Sequence, residues 1–113
     1  MTVIIKKIVP ATQLTTSSVG YGAVVPNGVN QVVKRAVFSN TATLPRQITV
    51  NVVPAGGTAT IANQIINART LQALETYVSP ELAGYELLPG DQIFASASAN
   101  TDVNMTINGI QVS

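Results

Sequence analysis

Cysteine and histidine are both absent from this sequence. Without cysteine there is no disulfide framework, no thiolate metal site and no cysteine nucleophile, and a reducing compartment is permitted. Without histidine the chain lacks the commonest general base and the commonest metal ligand. Charge is scarce too: 10% of residues are charged, against about a quarter in a typical soluble domain. Six basic residues nearly cancel five acidic ones, for a formal net charge of +1. Nothing there makes the basic footprint of a nucleic-acid partner. Long hydrophobic runs are also missing. The opening MTVIIKKIVP carries Lys6 and Lys7 inside a short apolar run, which fits neither a signal peptide nor a membrane-spanning helix. No membrane partner is expected.

What the chain does have is apolar and neutral polar surface. Hydrophobic residues make up 46% of the 113, and much of the rest is Thr, Asn, Ser and Gln. The length fits a single domain over residues 1–113 that buries its own core without staples. A surface so poor in charge repels its neighbours weakly. That is a hazard for a free monomer and ordinary for a subunit of a large assembly.

Period two runs through the chain. In RQITVNVVP, Ile48, Val50 and Val52 share one face, and Thr49 and Asn51 the other. NQVVKRAVFSN and TDVNMTINGIQVS alternate in the same way, the latter through Val103, Met105 and Ile107. Alternation with β-branched residues predicts strands with one face buried. Turn chemistry separates them at Pro26-Asn27-Gly28, Pro54-Ala55-Gly56-Gly57 and Pro89-Gly90-Asp91. In QIFASASA, Ile93, Ala95 and Ala97 lie opposite Phe94, Ser96 and Ser98, and the alanines leave room for bulkier groups packed against them. The spacing predicts roughly eight strands in an all-β, antiparallel, jelly-roll-like sandwich. The predicted core is Ile48, Val50, Val52, Ile93, Val103, Met105 and Ile107. NQIINARTLQALETYV has apolar residues near helical spacing, yet Pro80 and Gly84 follow closely. Two short strands around Leu71 to Tyr77 with a turn nearby are favoured there over a helix. Asn108-Gly109 suits either a tight hairpin turn or a bulge within one last strand.

Chemistry finds few candidates. The carboxylates Glu75, Glu81, Glu86, Asp91 and Asp102 read as rim or turn residues rather than a glycosidase pair. No DxDxDG-like cluster supports calcium at Asp91 or Asp102. Gly56-Gly57 lacks the Lys-Ser/Thr of a phosphate loop. Lys6-Lys7 and Lys34-Arg35 are adjacent basic pairs, which on a regular strand point to opposite faces. The aromatics Tyr21, Phe38, Tyr77, Tyr85 and Phe94 are too scattered for a stacking platform. No catalytic residue, cofactor or metal site is expected.

The order of motifs is nevertheless distinctive. YGAVVPNGVN leads to a strand ending Ser39-Asn40-Thr41, then to VVPAGG, to LPGDQI (88–93) and to a terminal Ile107-Asn108-Gly109-Ile110. From about Tyr21 onward this resembles a group of small tailed-bacteriophage virion proteins, among them jelly-roll cement (decoration) proteins. The resemblance implies a structural protein made in the host cytoplasm that binds the outer surface of the capsid. Its implied partners are the major capsid protein and copies of itself. Similar sandwiches also serve at the tail or the head-to-tail junction, and a ligand-binding sandwich module is the other reading. Residues 1–20 match least, as an arm or edge strand would. There the apolar stretch Val3, Ile4, Ile5, Lys6, Lys7 and Ile8 is the candidate interface.

Overall fold

Each run of alternating residues forms a strand in the computed structural model, which describes residues 2–113. Nine strands follow in chain order: β1 (Val3–Gln13), β2 (Val19–Tyr21), β3 (Asn30–Asn40), β4 (Arg46–Val53), β5 (Gln64–Leu71), β6 (Thr76–Val78), β7 (Glu86–Leu87), β8 (Gln92–Ala97) and β9 (Val103–Val112). One 3-10 turn, Ile61–Asn63, precedes β5. Met1, the first residue of the expected arm, lies outside the described residues.

The strands pair as nested hairpins: β1 with β9, β2 with β8, β3 with β6 and β4 with β5, all antiparallel. Two sheets result. One runs β1-β9-β3-β6 with the short β7 added on β3; the other runs β2-β8-β4-β5. Nested pairs divided in this way between two facing sheets are the jelly roll. The fold class expected from period two is the observed one, with β7 as a small ninth strand.

The core lies between the sheets. Ile48, Val50 and Val52 of β4 sit beside Ala97, Ala95 and Ile93 of β8 in register. Val103, Met105 and Ile107 of β9 face them from the other sheet, beside Phe38 and Ala36 of β3. All seven predicted core residues are buried, in one cluster with Leu14, Phe38 and Leu71. Small residues on β8 share one buried cluster with the bulkier Phe38 and Met105 of the other sheet.

The outer face of the second sheet departs from simple alternation. Asn51, expected on the solvent side, is buried because the segment 54–63 folds back over it. Its amide donates to the Thr60 carbonyl at 2.8 Å and to Asn63 Oδ1 at 2.7 Å. The ambiguous segment resolves as β5 and β6 with a turn at 72–75 and no helix. β5 begins at Gln64, earlier than the sequence suggests. Irregular register against β4 near Ile65 and Ala68, where Ala68 has φ 48°, scrambles the parity that would have revealed a strand.

Three turn motifs meet at one place. The Val25 N–H donates to the Asp91 carbonyl at 3.0 Å and the Gly90 N–H to the Val25 carbonyl at 2.8 Å. Gly90 has φ 91°, and a Cβ there would stand 2.4 Å from Ala55 Cβ. Only glycine fits that turn.

Candidate functional site

β1 is an edge strand, and its two halves live in different environments. Ile8 and Val9 are both buried, whereas residues 3–7 are exposed at both parities. A bulge marks the change: Lys7 pairs with Asn108 and Val9 with Ile107, so Ile8 is the extra residue. A bulge turns two successive side chains toward the same side. Ile8 uses that to reach the core, its Cδ1 lying within 2.7 Å of where a Cβ on Gly109 would stand. The Val32 carbonyl oxygen stands 2.1 Å from that same point. Gly109 therefore permits a close crossing of three strands, and β9 runs through Asn108-Gly109 as one strand. The extra residues sit on its neighbours, Ile8 on β1 and Lys34 on β3.

Beyond the crossing, residues 3–7 pair with 108–112 of β9 without interruption, and Asn30 to Val33 of β3 flank β9 on the other side. The chain termini close this ribbon: Thr2 N–H donates to the Ser113 carbonyl at 2.8 Å, and Ser113 N–H to that of Thr2 at 2.9 Å. Ile5 is 91% exposed, Val3 53% and Ile4 44%. In register with Ile5 stand Ile110 and Val32, and in register with Val3 stands Val112. Strand neighbours in register share a face, so Ile5, Ile110, Val32, Val3 and Val112 form one apolar patch on the outer face of the ribbon.

Cations border the patch. Lys7, Asn108 and Arg35 form one row across three strands, which places Lys7 and Arg35 on the same face. Lys34 and Arg35 are both exposed, against the opposite-face placement that regular alternation gives adjacent residues. The bulge at Lys34 is the reason. Four of the chain's six basic residues, Lys6, Lys7, Lys34 and Arg35, gather at this end. Among the described residues the one ion pair lies elsewhere, Arg46 Nε to Asp102 Oδ2 at 2.8 Å.

Of the six residues singled out in the sequence, Val3, Ile5 and Lys7 share the outer face, while Ile4 and Lys6 are exposed on the opposite one. Ile8 is on neither; at 8% exposure it belongs to the core. Val32, Ile110 and Val112 were missed, since register across strands is not visible in one strand's sequence.

Glu75, Glu81, Asp91 and Asp102 are engaged in local structure. Asp91 accepts from the Leu88 N–H at 2.9 Å and Glu75 from the Gln72 N–H at 2.7 Å, as turn residues do. Glu81 accepts from the Tyr77 hydroxyl and from Ser79 Oγ. The bond from Tyr77 holds the Glu81 carboxyl below its ordinary value. Burial, followed by that same bond, pushes the Tyr77 phenol up. Arg69 of β5 stacks 4.0 Å above the Tyr77 ring of β6, a cation–π clasp between the sheets.

Clefts open elsewhere on the described surface, three of them as follows. One of about 430 Å³ on the outer face of the second sheet is lined by Ser18, Thr49, Thr60, Gln64 and Ser96. Another of about 250 Å³ is lined by Val53, Gly56, Gly57 and Phe94. A third of about 390 Å³ is lined by Thr12, Gln13, Asn104 and Thr106. No ionisable side chain lines any of these three. Among the described residues no three acidic side chains converge as a metal site would need.

No protein-family model matches the chain, and no curated protein matches it. Among solved structures it is similar to a chain from the structure of infectious bursal disease virus, Gx strain, with a TM-score of 0.44 and 14% identity. The match covers 97% of this chain and 30% of that one, so the chain spans under a third of the viral chain's length. A likeness at that level carries no argument about partners or activity; the jelly roll stands on the strand pairing above.

Proposed function

We propose that the chain is a non-enzymatic structural protein of a virion, a capsid cement or decoration protein. In this reading it sits on the outer surface of a tailed-phage head and bridges major capsid protein subunits. The observation that carries it is the ribbon end, where Val3 and Ile5 stand uncovered on one face in register with Val112, Ile110 and Val32, beside Lys7 and Arg35. A contiguous apolar patch rimmed by polar residues is what a protein contact surface needs. Each of these apolar side chains contributes roughly 1.5–3 kcal/mol on full burial. One such contact is weak, but copies linked through a symmetric shell gain avidity without new contacts. The scarcity of charge, and the resemblance of its turn motifs to phage cement proteins, support the same reading.

The test is to find the protein in density maps of intact particles of the virus that encodes it. The expected result is one domain per site on the outside of the shell, ribbon end against the major capsid protein. Density at the tail or the head-to-tail junction, or none on the particle, contradicts the proposal. A second reading, a carbohydrate-binding module, draws on the hydroxyl- and amide-lined cleft of the second sheet. It predicts glycan binding that Gln64→Ala weakens, measured on a glycan array.

A further inference from the structure

We infer that two copies of the chain pair edge to edge through β1, antiparallel about a two-fold axis at Ile5, so that their five-stranded sheets become one. From the proposed function the inference takes only the premise that copies of the chain meet. It rests on backbone parity, strand length and the placing of charge.

Parity comes first. The mutual bonds between Thr2 and Ser113 make that pair a hydrogen-bonded one. Because the register to Lys7 is unbroken, Ile4 and Lys6 likewise turn their backbone groups toward β9. Val3, Ile5 and Lys7 therefore aim N–H and C=O at the open edge. Past Lys7 the bulge at Ile8 breaks the ladder, and Pro10 has no N–H to give. The free edge is five residues long, with Ile5 at its centre.

A strand added there has to satisfy the outward groups of residues 3, 5 and 7. A second β1, antiparallel and centred on Ile5, does so with its own three: Val3 meets Lys7 of its mate, Ile5 meets Ile5, and Lys7 meets Val3. The charges choose among registers. Centring on Lys6 or Lys7 sets like charges directly opposite, which is destabilising. Centring on Ile4 pairs Val3 with Ile5 alone and carries Lys7 past the start of the described strand. The Ile5 register lays each lysine stem along an apolar residue, Lys7 on Val3 and Lys6 on Ile4. It leaves the two Lys7 positions about 14 Å apart and the two Lys6 positions about 7 Å apart along the strands at about 3.4 Å per residue, so no lysine stands directly opposite another. On the outer face the row Val32, Ile110, Ile5 then continues into the mate's Ile5, Ile110 and Val32. The most exposed isoleucine of the ribbon is covered at the axis.

The absence of native cysteine makes the register directly testable on the full-length protein. Residues in a hydrogen-bonded antiparallel pair have Cα atoms about 5.5 Å apart, within the range a disulfide spans. Ile5→Cys is expected to form a covalent dimer under mild oxidation. Its rate should exceed that of an exposed control, Ser17→Cys, by on the order of tenfold or more, since pairing holds the thiols at high effective concentration. Val3→Cys and Lys7→Cys alone should match the control, while an equal mixture of the two should cross-link. Sedimentation equilibrium of the unmodified protein should show a dimer, and circular dichroism of each variant should match the parent. A monomer at all concentrations, an Ile5→Cys rate equal to the control, or faster cross-linking through Ile4→Cys overturns the inference. None of these results depends on a viral shell, so they leave the test on particles independent.

Discussion

The two ends of the molecule solve opposite problems with the same strands. At one end β1 runs out beside β9 and β3 with residues 3–7 exposed at both parities. At the other, the same three strands finish in loops held by side chains. Asn40, the last residue of β3 and 1% exposed, donates its amide to the carbonyls of Leu44 and Gln72 at 3.0 Å each. Its Oδ1 accepts the Ala42 N–H at 3.0 Å. Thr41 Oγ1 donates to the Asp102 carbonyl at 2.9 Å, and Arg46 bonds the Asp102 carboxylate. The clamped loops also expose apolar residues, Leu44 and Leu74, but on a fixed backbone. The comparison separates two environments: one pole ties its loops down with side-chain bonds, and the other leaves strand edge and apolar side chains uncovered.

That contrast can be broken by mutation, beginning with the largest effect. Ile107→Ala removes a fully buried side chain where the sheets face each other, and should cost about 2–5 kcal/mol in denaturant unfolding. Ile5→Ala, beyond the crossing, should stay within about 0.5 kcal/mol of the parent when both unfold as dilute monomers. Equal costs at both positions would mean that the ribbon is part of the core. Asn40→Ala should cost about 1–3 kcal/mol, because it removes a buried amide that bonds the Leu44, Leu71 and Gln72 carbonyls and the Ala42 N–H. Its amide-exchange signature should be confined to the clamped loops. Gly109→Ala should cost a comparable 1–3 kcal/mol by crowding the crossing. There the loss of exchange protection should fall on the Ile4 and Lys6 amides, which donate to β9, rather than on Asn40.

The smallest effect is acid sensitivity at the sheet edge. The Glu81 carboxyl is held below its ordinary 4.5 by the Tyr77 hydroxyl. Its contribution to stability is therefore full above that value and lost as pH falls through the lowered folded value. Glu81 is exposed, so screening keeps the contribution small. Tyr77→Phe should flatten the stability–pH curve slightly below pH 4.5 and leave neutral stability nearly unchanged. A curve of identical slope would show that the Tyr77–Glu81 bond is not made in solution.

The fold was legible because the strands that build the core keep strict parity. Ile48, Val50 and Val52, and Val103, Met105 and Ile107, point one way in the sequence and one way in the structure. Legibility failed where parity is broken. Bulges at Ile8, at Lys34 and within β5 shift the alternation by one residue, and no local preference announces them. Ile8 therefore read as surface and proved core, and Lys34-Arg35 read as split between faces and proved exposed together. The ribbon was partly legible. An apolar run carrying two lysines pointed to Val3, Ile4 and Ile5, but Ile110, Val112 and Val32 join Val3 and Ile5 only through register, which no single strand encodes.

The central claim is that the ribbon end is the surface by which this protein attaches to a viral shell. Its most direct test is the number of copies retained on purified heads for the parent and for Ile110→Asp. Ile110 lies on the middle strand, away from the β1 edge, so the substitution charges the face while leaving edge pairing in place. The account predicts a folded variant, with parental circular dichroism and melting, that has lost most of its occupancy. Full occupancy by that folded variant would contradict it.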